Sequence, residues 1–339
     1  MAPTSEDKTM KKPFRNGLIF FVSVVFILTA AIPPIFAQSK DIIASLQRIS
    51  GRVSVKQVRT RKTIRGRNGL LLRTGDTVIT ARRARSTIKF RNGSEIRLFP
   101  RSEFQVRASE RKGKYRTFRF SLFSRVGAFW GRFVKRRQVA NIRTPTATIG
   151  IKGTVLRVVD RDGKARVALT EGLIDVSNDR ETVELRPGKR LTEFTSSDTL
   201  ADKIEDIPLQ LDMKSQKRKL EFRNKQNEEV FVSIQLVNIK TGRTIRRSGP
   251  VYLRSNYDKI TYPSSAVLDT RGFVRVAVQF APPEAADARL NGNVFLWAVM
   301  DQEDADDVSE GRLKFTIPVP AGADRFRIPS DTGEVQRTQ

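Results

Sequence analysis

Residues 141–159, NIRTPTATIGIKGTVLRVV, set Gly150 and Gly153 around Lys152 and close with Thr154. Glycine, lysine and threonine in that order could grip a phosphate. A Walker loop, however, needs four residues between its glycines and a Lys-Ser/Thr pair after the second, and the spacing here gives neither. A dinucleotide fingerprint needs a third glycine and a following helix. Here Val155, Leu156, Val158 and Val159 follow, which read as a strand. What remains is a tight bend between strands. Pro145 after Thr144 fixes the way in, Gly150 and Gly153 permit positive φ or close backbone approach, and Thr154 can hydrogen-bond its own turn.

The rest of the chain offers little other chemistry. It contains no His and no Cys. That removes the commonest general base, the usual partner of a nucleophile, the commonest zinc ligand, and all thiol and disulfide chemistry. Glu171 and Asp175 could be drawn as a glycosidase pair, but they fall on one strand with no pocket evident. DQEDADDVSE at 301–310 gathers six carboxylates that could hold Ca²⁺. Its glycine and final glutamate are misplaced for an EF-hand, so the expectation is a solvated acidic loop. The turn DRDG at 160–163 fails the same spacing. The chain is expected to be non-enzymatic, without cofactor or metal.

The elements that would carry these residues are strands. In 44–195 short alternating runs are broken by Gly, Asn and Asp about every ten residues, with no sustained helical period, which argues an all-β domain. Side-chain parity fixes two hairpins. In STIKFRNGSEIRLFP a three-residue loop, 91–93 with Gly93 left-handed, sets Ile88 opposite Ile96 and leaves Lys89, Glu95 and Arg97 outward. In VLRVVDRDGKARVAL a two-residue Asp162-Gly163 loop pairs Val158 with Val167 and Leu156 with Leu169. Residues 196–214 lose the alternation and read as a linker with one helical turn. Six or seven strands then fill 215–320, the pattern of an immunoglobulin-like β-sandwich, with Trp297 expected in its core. Residues 321–339 read as a disordered tail.

At the N-terminus, Lys8, Lys11, Lys12 and Arg15 precede an uncharged run from Gly17 to Ile32, which Pro33 and Pro34 end. This reads as an export signal over 1–37, cleaved before Gln38 or retained as an anchor, with the remainder outside the cytoplasm.

Several of these residues together resemble the FecR domain. They are Gly75-Asp76, Ser86, Gly93-Ser94, Pro100 and Ser102; then Thr144, Pro145, Ala147, Gly150, Gly153 and Thr154; then Glu171-Gly172 and Pro187-Gly188. Lys152 stands where the family usually has Arg. The resemblance covers about 150 residues. It implies an exported all-β domain, a short-stranded sandwich or solenoid-like array used for sensing or binding, with no catalytic residues. About 16 residues precede the apolar run, too few for the family regulators' cytoplasmic anti-sigma region, so the chain looks more like the stand-alone exported versions.

Charge adds a candidate surface. Residues 40–160 hold 31 Lys and Arg against 6 Asp and Glu, while 161–339 are balanced at 28 each. So much like charge in one half exceeds what solubility needs. The outward clusters are Arg82, Arg83 and Arg85; Arg91 and Arg97; Arg111, Lys112, Lys114 and Arg116; and Lys135, Arg136 and Arg137. They suggest an envelope polyanion or an anionic membrane surface as partner. Export makes intracellular nucleic acid an unlikely partner, and no nucleic-acid motif is present. The function expected is a binding or scaffold protein of the periplasm or cell surface. The alternative is an envelope signalling component that contacts an outer-membrane receptor or transducer, or another envelope protein.

Overall fold

The computed structural model describes residues 42–107, 120–134, 140–151 and 153–319. The expected export segment, the tail, Lys152, and the cations at 111–116 and 135–137 lie outside those residues. Among the described residues no helix is long and apolar enough to cross a membrane.

The chain is all-β, as expected. Its first module is two stacked layers that share one long strand, Phe120–Arg132. The C-terminal half of that strand lies between Glu95–Leu98 and Val155–Arg161. Outward from these run Arg85–Phe90, Ile42–Ser50 and Leu71–Arg73 on one side. Lys164–Glu171, Lys189–Phe194 and Ile204–Asp206 follow on the other. The N-terminal half of Phe120–Arg132 joins the second layer. There Glu103–Arg107, Thr77–Thr80, Val53–Lys56 and Thr63–Arg65 follow in order on one side. Ala140–Arg143, Thr148–Ile151, Ile174–Ser177 and Thr182–Leu185 follow on the other. Alternation places Val53, Val55, Ile88, Ile96, Val158 and Val167 between the layers, where they join one buried core.

Both parity arguments hold. Ile88 faces Ile96 across a loop whose Gly93 has φ +87°. Val158 faces Val167, and Leu156 faces Leu169, across Asp162 and Gly163, both left-handed. Two successive positive φ values are what a type I′ hairpin turn requires.

The second module is a sandwich of five and four strands. One sheet runs Ile260–Thr261, Phe273–Phe280, Glu228–Asn238, Leu209–Ser215, Val308–Ser309. The other runs Ser265–Leu268, Gly249–Ser255, Asn293–Met300, Gly311–Thr316.

The structure departs from expectation in the segment 196–214. Ile204–Asp206 closes an edge of the first module, and Leu209–Ser215 is an inner strand of the sandwich. Leu209, Leu211 and Met213 alternate into the sandwich core, so burial drives the strand; the polar run Asp202-to-Asp206 before it hid the pattern. Trp297 is not in that core. Leu296 and Ala298 point inward, and parity turns Trp297 to the opposite face, against the first module.

Candidate functional site

The glycines, serines and threonines shared with the FecR pattern do structural work. Asp76 is buried, and its carboxylate accepts the backbone N–H of Val58 at 3.0 Å and of Arg73 at 2.9 Å. Gly75 lies against Val58, where a Cβ would come within 3.0 Å of that side chain. Gly75-Asp76 thus pins the loop 57–62. Ser102 exchanges hydrogen bonds with the N–H and C=O of Ala128 at 3.0 Å. The Thr144 hydroxyl donates to the Ala147 carbonyl at 3.1 Å and accepts the Ala147 N–H at 2.9 Å, while the neighbouring Thr146, outside the pattern, donates to Asp160 at 3.0 Å through both its backbone N–H and its hydroxyl.

The opening stretch is a bend, not a phosphate grip. Gly153 has φ +76°. A Cβ on Gly172, itself at φ +88°, would lie 2.3 Å from the Gly153 carbonyl oxygen, which explains why the two glycine motifs occur together. Two details differ from expectation. Gly150 is an ordinary strand residue with room for a Cβ, because its neighbours stand 3.8 Å away. The Thr154 hydroxyl is buried with no partner among the described residues instead of bonding its own turn; the backbone of Thr154 pairs with Phe133. We expect Gly153→Val to destabilise the protein by about 2 kcal/mol, from forcing a β-branched residue to positive φ, as read by denaturant unfolding. A neutral result would mean the bend tolerates a side chain.

The densest concentration of charge lies between the modules. The outer face of the first layer carries Arg85, Arg97, Arg157, Arg161, Arg166 and Arg190, and the acidic loop 301–310 lies on it. Arg97 donates to both carboxylate oxygens of Asp301, Nε at 2.8 Å and Nη2 at 2.7 Å. Arg85 adds an ion pair to Asp301 at 3.3 Å. Arg166 and Arg190 pair with the buried Asp306 at 3.0 and 3.3 Å, and Arg161 with Glu303 at 2.7 Å. Arg157 donates to the carbonyl of Met300 at 2.6 Å and to that of Gln302. Beneath the charges, Phe99, Ala128, Trp130, Val155 and Val159 meet Tyr252 and Val299 in a small apolar core.

Aromatic rings finish the join. The Tyr252 ring lies under Arg97 at 4.3 Å and Arg48 at 5.1 Å, and its hydroxyl donates to Glu95 at 2.7 Å. Arg254 is 4.1 Å from the Trp297 ring and 5.2 Å from the Trp130 ring. Such contacts strengthen when desolvated, as those of the buried Arg97 and Arg254 are.

Burial sets the titration of this seam. It pushes the Glu310 carboxyl up to about 7, against the opposing pull of Arg254. It lowers Arg157 to about 10, which leaves it charged at neutral pH, and it lowers Arg254. Burial also raises the Tyr252 phenol, aided by Glu95. For Arg97 burial works downward and is outweighed by the bonds to Asp301, so its value rises.

Three expectations are corrected here. The face bearing Arg97 is not solvent-facing; it is covered by the sandwich. The 301–310 loop is not solvated, since Asp301, Asp306 and Glu310 are buried against arginines. Arg85 belongs to this seam, whereas Arg82 and Arg83 are exposed. The signal that could have revealed the seam is arginine on the polar side of otherwise apolar strands, matched by six carboxylates in one late loop.

The matching family model is described as FecR protein and covers residues 76–175. No curated protein sequence matches the chain. Structures of a candidate anti-sigma factor from Parabacteroides distasonis ATCC 8503, solved at 1.65 and 2.50 Å, are similar at 11% identity with a TM-score of 0.31. The similarity covers 38% of this chain and 57% of that one, so it spans little more than half of that protein's length.

Proposed function

The chain carries a FecR domain, and on that premise we propose that it is a non-enzymatic binding protein of the cell envelope that meets an anionic polymer or surface through its first module. The observation behind this is how the charge is divided. The buried arginines of the first module are answered by the 301–310 loop. Cations elsewhere on that module, Arg82 and Arg83 among them, stay exposed without an ion pair among the described residues. Unanswered like charge costs stability and favours a polyanionic partner. The strongly shifted Arg157 and Glu310 are buried at the junction of the two modules, where their charges answer other protein groups.

The test is binding of the full-length protein to heparin over a series of sodium chloride concentrations. The log of the affinity should fall linearly and steeply with the log of salt, the signature of counterion release. A slope near zero would remove this reading.

The family match favours a second reading, an envelope signalling component in contact with a receptor or transducer. It requires a retained N-terminal anchor. Mass-spectrometric mapping of the mature N-terminus after cell fractionation separates the two: an intact start favours signalling, and a start at Gln38 favours the binding protein.

A further inference from the structure

From residue 42 to residue 75 the chain contains nine Lys and Arg and no Asp or Glu. Seven of the nine, Arg52, Lys56, Arg59, Arg61, Lys62, Arg65 and Arg67, are exposed, and none has an ion pair among the described residues. They lie on one hairpin formed by Val53–Lys56 and Thr63–Arg65. Arg65 is opposite Ser54 and Lys56 opposite Thr63, so Lys56 and Arg65 share a face. That face is the outer one, since Val53 and Val55 on the other side are in the core. The Gly66 N–H bonded to the Val53 carbonyl sets Arg52 and Arg67 at the open end of the hairpin. Arg59, Arg61 and Lys62 occupy the closed end. The cations therefore form a track along the hairpin.

Two features separate this track from an ordinary solvated edge. Thr63–Arg65 is an edge strand, and one or two cations there would suffice to block edge-to-edge pairing; the loop beyond it needs none for that purpose. The loop is also held rigid. Gln57 N–H bonds the Lys62 carbonyl at 2.9 Å, Arg61 sits at φ +55°, and the buried Asp76 carboxylate fixes Val58 from below. Like charges held in a fixed array lose little entropy when a ligand arrives.

We infer that this hairpin is the surface on which the protein binds an acidic polysaccharide. The inference rests on the binding reading above and locates it. Five of the seven cations, all but Lys56 and Lys62, are arginines, whose planar forks pair with carboxylate or sulfate groups two bonds at a time. The track is linear, as a polymer chain is. Among the described residues of this module the large exposed apolar side chains are Val58 and Leu71, with no aromatic among them to stack on bases or to insert into lipid. The hairpin precedes the residues matched by the family model, which begin at 76.

The experiment compares the full-length protein with three variants, Arg59→Glu/Arg61→Glu/Lys62→Glu, its neutral counterpart Arg59→Gln/Arg61→Gln/Lys62→Gln, and Arg82→Glu/Arg83→Glu. Heparin and polygalacturonate serve as polymers, with duplex DNA and phosphatidylglycerol vesicles as rival ligands. The hairpin variant should lose at least tenfold in affinity for both polysaccharides. Its log–log salt slope should shrink by about 2 to 3, as three lost ionic contacts imply. Its melting temperature should be unchanged, and the neutral triple variant to Gln should fall in between. If wild-type binding is steep in salt but only the Arg82/Arg83 variant weakens it, the hairpin assignment is wrong while the binding reading survives. If wild-type protein prefers DNA or vesicles, the polysaccharide assignment is overturned. If it binds none of the four, both readings fall.

Discussion

Replacing Asp301 by Ala should destabilise the protein by about 3–5 kcal/mol, the largest effect expected of any single change in the seam. Asp301 accepts two hydrogen bonds from Arg97 and an ion pair from Arg85, with the Asp301 and Arg97 side chains almost fully buried. Bringing two ions out of water costs nearly as much as their attraction returns, so the intact pair adds little net stability. Removing one partner is different, because it leaves a buried guanidinium uncompensated. The same argument predicts that Arg97→Leu with Asp301→Leu recovers much of the loss. Thermal unfolding followed by circular dichroism reads both. A loss below about 1 kcal/mol for Asp301→Ala would mean that water reaches Arg97 and that the modules are joined loosely.

The second large effect is on pH. The Glu310 carboxyl is raised from an ordinary value of 4.5 to about 7 by burial, and among the described residues neither of its oxygens has a hydrogen-bond partner. Arg254 and Arg132 face it with opposite charge, Arg312 likewise, and Glu171 with like charge. Between pH 4.5 and 7 the folded protein holds this proton more tightly than the unfolded chain does. Stability from this group is therefore full below 4.5 and is lost as pH rises through 7. The amount is up to about 3 kcal/mol at 1.36 kcal/mol per unit. Glu310→Gln keeps the shape and removes the ionisation. It should raise stability at alkaline pH and flatten the pH dependence between 4.5 and 7, as read by urea unfolding across that range. Equal destabilisation at every pH would show instead that Glu310 is an ionised counter-charge for Arg254.

The two modules were legible in the sequence to different depths. Hairpin registers could be read because a strand's side-chain period is two: one buried face admits one loop length, and Gly93 and Gly163 supply the φ that each loop needs. The bend at Gly153 was legible for the same reason. The seam was not. Arg97 and Arg157 occupy polar positions on their strands, and polarity alone reads as exposure. Their partners come from a loop more than 140 residues later, so no local pattern announces them. Trp297 was misread because a large apolar ring signals burial but not which face of the sheet buries it. The basic clusters at 111–116 and 135–137 lie outside the described residues, whereas the hairpin cations of 52–67 carry no sequence signal of their own, because only the structure shows that no described residue pairs with them.

The central claim is that an arginine–carboxylate seam makes the FecR module and the sandwich one body. A double-mutant cycle on Arg97→Ala and Asp301→Ala, measured by denaturant unfolding of the full-length protein, tests it most directly. The account predicts a single unfolding transition for the wild type and a coupling energy of at least about 2 kcal/mol between the two sites, within the range for directly bonded partners. Two separate transitions with a coupling near zero would contradict it.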